Sequence, residues 1–398
     1  MSGKIGTRGA SLNGNGILRV PAVFMRGGTS RGVFFRQGDL PQDPSKRDRL
    51  LLRVLGSPDK YRRQIDGMGG ASSSTSKAAI ISPSSHPECD VDYLIAQVSI
   101  DEPIVDYSSN CGNLASAVGP FAIRKGMIAA AQGTTTIRIW QVNTQRRIVA
   151  HVPTRDGEPV EEGDFVIDGV SNAGAEVSLD FLDPTGTSTG FLLPTGNATD
   201  DLEVPGAGRL TVSMVDAAQA IVFVRASDLG LAGTELKPEI DGNPEILATL
   251  EAIRTQAAIR MGLVSDGTIS PATPKVAFVA APKAYSASDG RLIGPDEVDF
   301  VARIMSMGAL HHAYEVTGAI ATAAAAAIPG TVVNEVAGFS YVPSREVRIG
   351  HVSGVISVGA ELKRLDDVWT MPKASLGRTS RRLMEGDVFV PTSCLLAS

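Results

Sequence analysis

Hydrophobic positions along the chain follow two rhythms. Residues 17–28 (ILRVPAVFMRGG), 31–36 (RGVFFR), 90–100, 134–152 and 164–170 alternate or are rich in β-branched side chains, which predicts strands. Between them, Leu50, Leu51, Val54 and Leu55 recur at helical spacing in 43–58, predicting a helix that Gly56 and Pro58 stop. The second half repeats this order. It has a strand pair in 209–230, an amphipathic helix in 243–263, a strand in 275–282, a helix in 294–308 and alternation again in 345–362. Each half also holds one helix of small residues opened by Gly, CGNLASAVGPFAIRKG (111–126) and TGAIATAAAAAIPG (317–330). Small side chains let a helix run close to neighbouring backbone, as inside a curved sheet. The repeated order predicts an internal duplication, with its boundary in the Gly-, Thr- and Pro-rich stretch 182–197.

Composition narrows the function classes. The chain has 398 residues, 43% apolar and 20% charged, with a net charge of -6 and no basic block, which disfavours a nucleic-acid partner. The longest apolar stretch, GAIATAAAAAIPG, is too short and too Ala-rich to span a bilayer. Residues 1–16 lack an apolar signal core and read as a disordered tail. Three widely spaced cysteines, Cys89, Cys111 and Cys394, form neither a disulfide framework nor a zinc ligand set, so a cytoplasmic location is expected.

Four stretches carry candidate chemistry. Cys111 lies among Ser108, Ser109, Asn110, Gly112 and Asn113 at the predicted start of a helix, where free N–H groups and the helix dipole favour anions and thiolate. Pro120 within that helix predicts a kink. In IDGMGGASSSTSKAAI, Ser76 stands where a phosphate loop needs Gly, and Ser73 where a dinucleotide fingerprint needs one. What remains is a hydroxyl-rich turn ending in Lys77 beside an apolar run, and desolvation of an ammonium favours the neutral base. In FMRGGTSRGVFF, a glycine-punctuated hairpin, Arg26 and Arg31 are candidates for carboxylate pairing. His311 and His312 are adjacent on a predicted helix without a second ligand pair, which favours packing or capping over a metal site.

Together MRGGTSRGVFF, IDGMGGASSSTSKAAI, DVDYLIAQVSID, SSNCGNLASAVGPFAI, PTGN, MSMGALHHA and IPGTVVN resemble the PrpF family, in order, from about residue 19 to 392. That family includes methylaconitate cis–trans isomerases, methylitaconate and aconitate Δ-isomerases, and 4-oxalomesaconate tautomerases. The resemblance implies an α+β fold of two pseudo-symmetric, diaminopimelate epimerase-like domains, each a curved sheet or barrel wrapped around a central helix. They would span 17–187 plus 380–398 and 188–379, with the C-terminal strand EGDVFVP returning to the first domain. It implies a cofactor-independent allylic proton shift on an unsaturated di- or tricarboxylate, an aconitate-type substrate before 4-oxalomesaconate, and a homodimer.

Carried onto this chain, the family pattern makes Lys77 the catalytic base and Cys111 either the opposing acid or a positioning group. Ser30, Gly70, Ser72, Asn110, Gly112, Asn113, Ser306 and Met307 would contact substrate, and Lys275 would pair with an anion. The two-thiol pattern of epimerases of this fold is broken, because the second helix offers Thr317 in place of a cysteine. A different chemistry, a cysteine-nucleophile hydrolase, would need His311 or His312 beside Cys111.

Overall fold

A computed structural model describes residues 11–12, 16–108, 110–264 and 267–396 of the chain. Most of the expected N-terminal tail, and Ser109, therefore lie outside the described residues. Within that tail, Ser11 and Leu12 pair with Arg19 and Leu18.

The first half contains β1 (Ile17–Gly27), β2 (Ser30–Arg36), α1 (Pro44–Leu55), β3 (Lys77–Pro83), β4 (Val91–Val98), α2 (Gly112–Arg124), β5 (Gly133–Gln141), β6 (Arg146–Arg155) and β7 (Glu176–Leu182). After β8 (Asp200–Val204), the second half runs β9 (Gly208–Asp216), β10 (Ala220–Arg225), α3 (Pro244–Arg260), β11 (Lys275–Ala280), β12 (Phe300–Ser306), α4 (Val316–Ala327), α5 (Val332–Ala337), β13 (Ser344–His351), β14 (Gly354–Leu365) and β15 (Val368–Pro391). The pairings match in sense from half to half. Hairpin β1–β2 answers β9–β10, and parallel β2–β3 answers β10–β11. Antiparallel β3–β4 answers β11–β12, and parallel β4–β5 answers β12–β13. The chain is thus α+β and pseudo-symmetric. Its last long strand, β15, pairs with β7 and β14 through its first part and with β1 through Ser380–Pro391.

Local chemistry explains the elements. Asp43 caps α1 by accepting from the Ser45 and Lys46 backbone N–H groups, Pro44 occupies the first turn, and Gly56 ends the helix at φ +77°. Leu50, Leu51, Val54 and Leu55 then pack against the outer face of β1–β3, beside Val20, Val33 and Ile80. By contrast α2 and α4 are buried on every side, from Gly112 to Ile123 and from Val316 to Ala327. An all-round apolar, small-residue helix has no solvent face to offer, so each becomes the axis of a wrapped sheet. The helix α2 continues through Pro120 to Arg124.

Three expectations are corrected. Residues 294–308 form a 3-10 turn, Pro295–Glu297, and then β12, every residue of which is buried. A strand covered on both faces loses its alternation, and the remaining apolar run imitates helical spacing. Residues 164–170 are an irregular loop held by one bridge, Phe165 to Gly174. His311 and His312 precede α4 rather than lying on a helix, and their rings stack at 4.7 Å.

Candidate active site

The two central helices point their N-termini at the same place. A methyl added to Gly112, the first residue of α2, would lie 2.5 Å from Cγ1 of Val316, the first residue of α4. Cys111 and Glu315 are the N-cap residues, and neither side chain bonds its own helix. First-turn N–H groups are therefore left for a ligand at both helices. Around them lies an enclosed cavity of about 30 Å3, lined by Ser30, Ser74, Lys77, Gln97, Asn110, Cys111, Gly112, Asn113, Lys275, Ser306, Met307, His311, Glu315 and Thr317, among others. Ser73 and Ser306 close it from the two halves with a 3.2 Å hydrogen bond.

Lys77 begins β3 and is buried. Its amine donates to Oε1 of Gln97, directly opposite on β4, and Gln97 in turn donates to the Ser76 carbonyl at 3.0 Å. The loop ahead of Lys77 is held from behind by Gln64, 1% exposed, which donates to Ser57 and Ser76 and accepts from the Ala71 N–H. Lys275 begins β11 and pairs with Glu315, whose second oxygen accepts from Ser306 at 2.8 Å. Burial pushes the Glu315 carboxyl up, but Lys275, His311 and Lys77 outweigh it and hold the group down at about 2. Burial pushes the His311 imidazole down to about 3, so it is neutral at working pH. Its Nδ1 accepts from the Ala313 N–H, which leaves Nε2 protonated and 4.0 Å from Glu315. Two lysine side chains and one carboxylate thus line the cavity.

The structure brings Lys77, Cys111, Ser30, Asn110, Gly112, Asn113, Lys275, Ser306 and Met307 to this one cavity. Gly70 and Ser72 are not among its lining residues. Ser72 bonds Ser74 and Thr75 and shapes the loop, while Gly70 gives room to the Arg31 guanidinium and Thr75. The Asn113 side chain is occupied by Thr29 of the β1–β2 turn, so it fixes that turn against α2. Oδ1 of Asn110 is buried without a partner. No hydrogen bond links Cys111 to either histidine among the described residues.

Sequence reasoning missed Glu315, Gln97, Ser74 and Gln64. Glu315 had a signal, an isolated acid immediately before an all-apolar helix. Gln97 becomes visible only when β3 and β4 are paired in register.

A second cavity, about 700 Å3, shares Ser30 with the first and is walled by Arg26, Arg31 and Arg381. Arg26 donates to the carbonyls of Gly28 and Thr379, and burial and the like charge of Arg381 lower its pKa.

The family model described as PrpF protein matches residues 17–391. The chain belongs to the PrpF family. It is 50% identical over 388 residues to the 2-methyl-aconitate isomerase of Shewanella oneidensis, covering 94% of this chain and 97% of that protein. It matches the crystal structure of a methylitaconate-delta-isomerase with a TM-score of 0.77 and 43% identity, over 96% of this chain and 98% of the other. A hydroxyproline epimerase from Agrobacterium vitis, only 12% identical, superposes with a TM-score of 0.56 over 96% of this chain and 94% of its own, so the epimerase fold extends beyond this family. Among the described residues no helix is long and apolar enough to cross a bilayer, and no cluster of three His, Cys, Asp or Glu side chains stands ready for a metal.

Proposed function

We propose that this PrpF-family isomerase moves an allylic proton of an unsaturated tricarboxylate, 2-methylaconitate or aconitate, using groups of its own chain. The observation that carries the reading is the convergence of two lysines and two open helix N-termini on one enclosed cavity. Lys77 removes the proton vinylogous to a carboxylate. The negative charge spreads into a dienolate, whose carboxylate end lies against the α2 N-terminus at Gly112 and Asn113. Preorganised donors of this kind need no rearrangement as charge develops. Reprotonation at the same carbon after bond rotation gives cis–trans isomerisation, and reprotonation at the far carbon moves the double bond. Cys111, at the mouth of α2, positions the substrate or exchanges a proton with it. The larger arginine-walled cavity, which shares Ser30 with the site, gathers the anion before the halves part to admit it. The same reading takes the enzyme to be a cytoplasmic homodimer, to be checked by cell fractionation and by light scattering.

The test is proton NMR in D₂O with cis-aconitate, trans-aconitate, 2-methylaconitate and 4-oxalomesaconate. Deuterium enters an aconitate-type substrate with wild-type enzyme, and Lys77→Ala abolishes this while weak substrate binding remains. Absence of exchange with all four compounds, or wild-type exchange in Lys77→Ala, would remove the reading.

A further inference from the structure

Three arginines stand side by side on neighbouring strands. Arg31 of β2 is directly opposite Arg26 of β1, and Arg26 is directly opposite Arg381 of β15. Residues opposed in this way share a face of the sheet. It is the face turned away from α2, because a Cβ added to the next residue, Gly27, would meet Asn113 and Leu114 of that helix. All three side chains wall the cavity of about 700 Å3. Like charges set opposite one another destabilise a sheet unless an opposite charge offsets them. Nearby the chain provides that charge, since Arg19 of β1 is paired with Asp387 of β15, and Arg382 with Glu385. In the row it does not. Arg26 donates only to carbonyl oxygens, those of Gly28 and Thr379. The Arg31 guanidinium lies 5.5 Å over the Phe24 ring, and its Nε is buried without a hydrogen bond. Two acids also line the cavity, but among the described residues neither bonds any of the three arginines. Glu161 accepts from the Arg124 guanidinium at 2.7 Å and from the Arg382 N–H at 2.9 Å, and Glu162 is exposed to solvent.

We infer that this arginine row is a second anion site, outside the catalytic cavity, that holds one small polycarboxylate while the two halves are closed. The inference rests on the isomerase reading for the class of ligand, since the substrate proposed there is a tricarboxylate. Guanidinium groups take carboxylates two hydrogen bonds at a time, so a row of three matches a molecule with several carboxylates better than one with a single charge centre. Ser171, Asn172 and Ser380 line the same cavity and offer hydroxyl and amide groups to the remaining oxygens. The volume suits a ligand of this size, whereas the catalytic cavity of about 30 Å3 does not. Ser30 lines both spaces, so a ligand held by the row waits beside the site it enters next.

The test is titration calorimetry with two probes, inorganic phosphate and tricarballylate, a saturated tricarboxylate with no allylic proton to lose. Full-length protein crosslinked through Ser73→Cys and Ser306→Cys, with the bond verified by mass spectrometry, keeps the catalytic cavity shut. It is expected to bind one tricarballylate per chain, more tightly than phosphate. Arg31→Met and Arg381→Met, each in that crosslinked protein, should weaken the binding by about tenfold or more. Removing one of three like charges should leave Tm unchanged or raised without ligand, which shows that the variants fold. The rise in Tm that tricarballylate gives the crosslinked protein should shrink in both. Without the crosslink, two tricarballylates should bind per chain, and one when Arg31→Met and Arg381→Met are combined. No binding to the crosslinked protein, unchanged affinity in both variants, or tighter binding of phosphate would overturn the inference. None of those results touches the isomerase reading, which stands on deuterium exchange by the wild type without a crosslink.

Discussion

Gly112→Ala tests whether the meeting of the two central helices sets the geometry of the site. The added Cβ would stand 2.5 Å from Cγ1 and 2.8 Å from Cβ of Val316, and 3.2 Å from the Phe181 ring. Comfortable carbon contacts begin near 3.5 Å, so one helix start must retreat by roughly 1 Å. Overpacking of this kind costs about 1–3 kcal/mol. Alanine recovers up to about 1 kcal/mol of helix propensity relative to glycine, so the net loss of stability is about 0–3 kcal/mol. Function is more sensitive, because Cys111 and Glu315 cap the two displaced turns. A misplacement of about 1 Å costs on the order of 100-fold in turnover. Expected is a protein that melts in urea close to wild type while kcat/KM, measured by NMR on its best substrate, falls about 100-fold. Adding Val316→Gly removes both clashing atoms and should restore most of the turnover at a cost of about 2–4 kcal/mol, since Val316 is fully buried. Turnover within about threefold of wild type in Gly112→Ala would refute the reasoning, as would failure of the second change to rescue a folded protein.

The site also makes the fold acid-labile. His311, held near 3 by burial, binds its proton less readily folded than unfolded, so its contribution is complete above about pH 6.5 and is lost as pH falls towards 3. That amounts to about 2 kcal/mol by pH 5, and the urea midpoint should drop accordingly between pH 7 and 5; a flat midpoint would contradict the burial argument. Glu315 adds a second loss below its unfolded value near 4.5, completed as pH passes about 2. A cavity of about 30 Å3 holds water but no tricarboxylate, so substrate must part the halves across the Ser73–Ser306 contact. Ser73→Cys combined with Ser306→Cys should therefore be inactive when oxidised and recover on reduction, beyond the fixed loss from changing Ser306; activity indifferent to the crosslink, with the bond verified by mass spectrometry, would show another route in. Gln64→Ala removes the hydrogen bonds to Ser57, Ser76 and Ala71, of which only Ser76 is buried, and should cost about 1–3 kcal/mol, with a further fall in turnover as the loop before Lys77 loosens. A urea midpoint unchanged from wild type would show that Gln64 is not the clamp.

Much of this was written in the chain, and the places where reading failed share a cause. Alternation in 134–152 marks β5 and β6 because one face of each is wet, and Asp43, Pro44 and Gly56 mark the ends of α1 because caps are local chemistry. The segment 294–308 misled because β12 is buried on both faces and keeps no periodic signature. Gly70 and Ser72, placed at the site by the family resemblance, do not line the cavity; Ser72 bonds Ser74 and Thr75 within the loop, and Gly70 lies against Arg31 and Thr75. The amino-acid order by itself determined the paired small-residue helices, the duplicated strand order and the two residues, Lys77 and Cys111, that announce chemistry. Lys275 and Ser306 were expected beside them from the family resemblance, and only the tertiary structure decided that Glu315 and His311 face the same space. Those groups sit some 200 residues away, and no local preference links them; strand register and the closing of two halves around two buried helices bring their charges within reach of one anion.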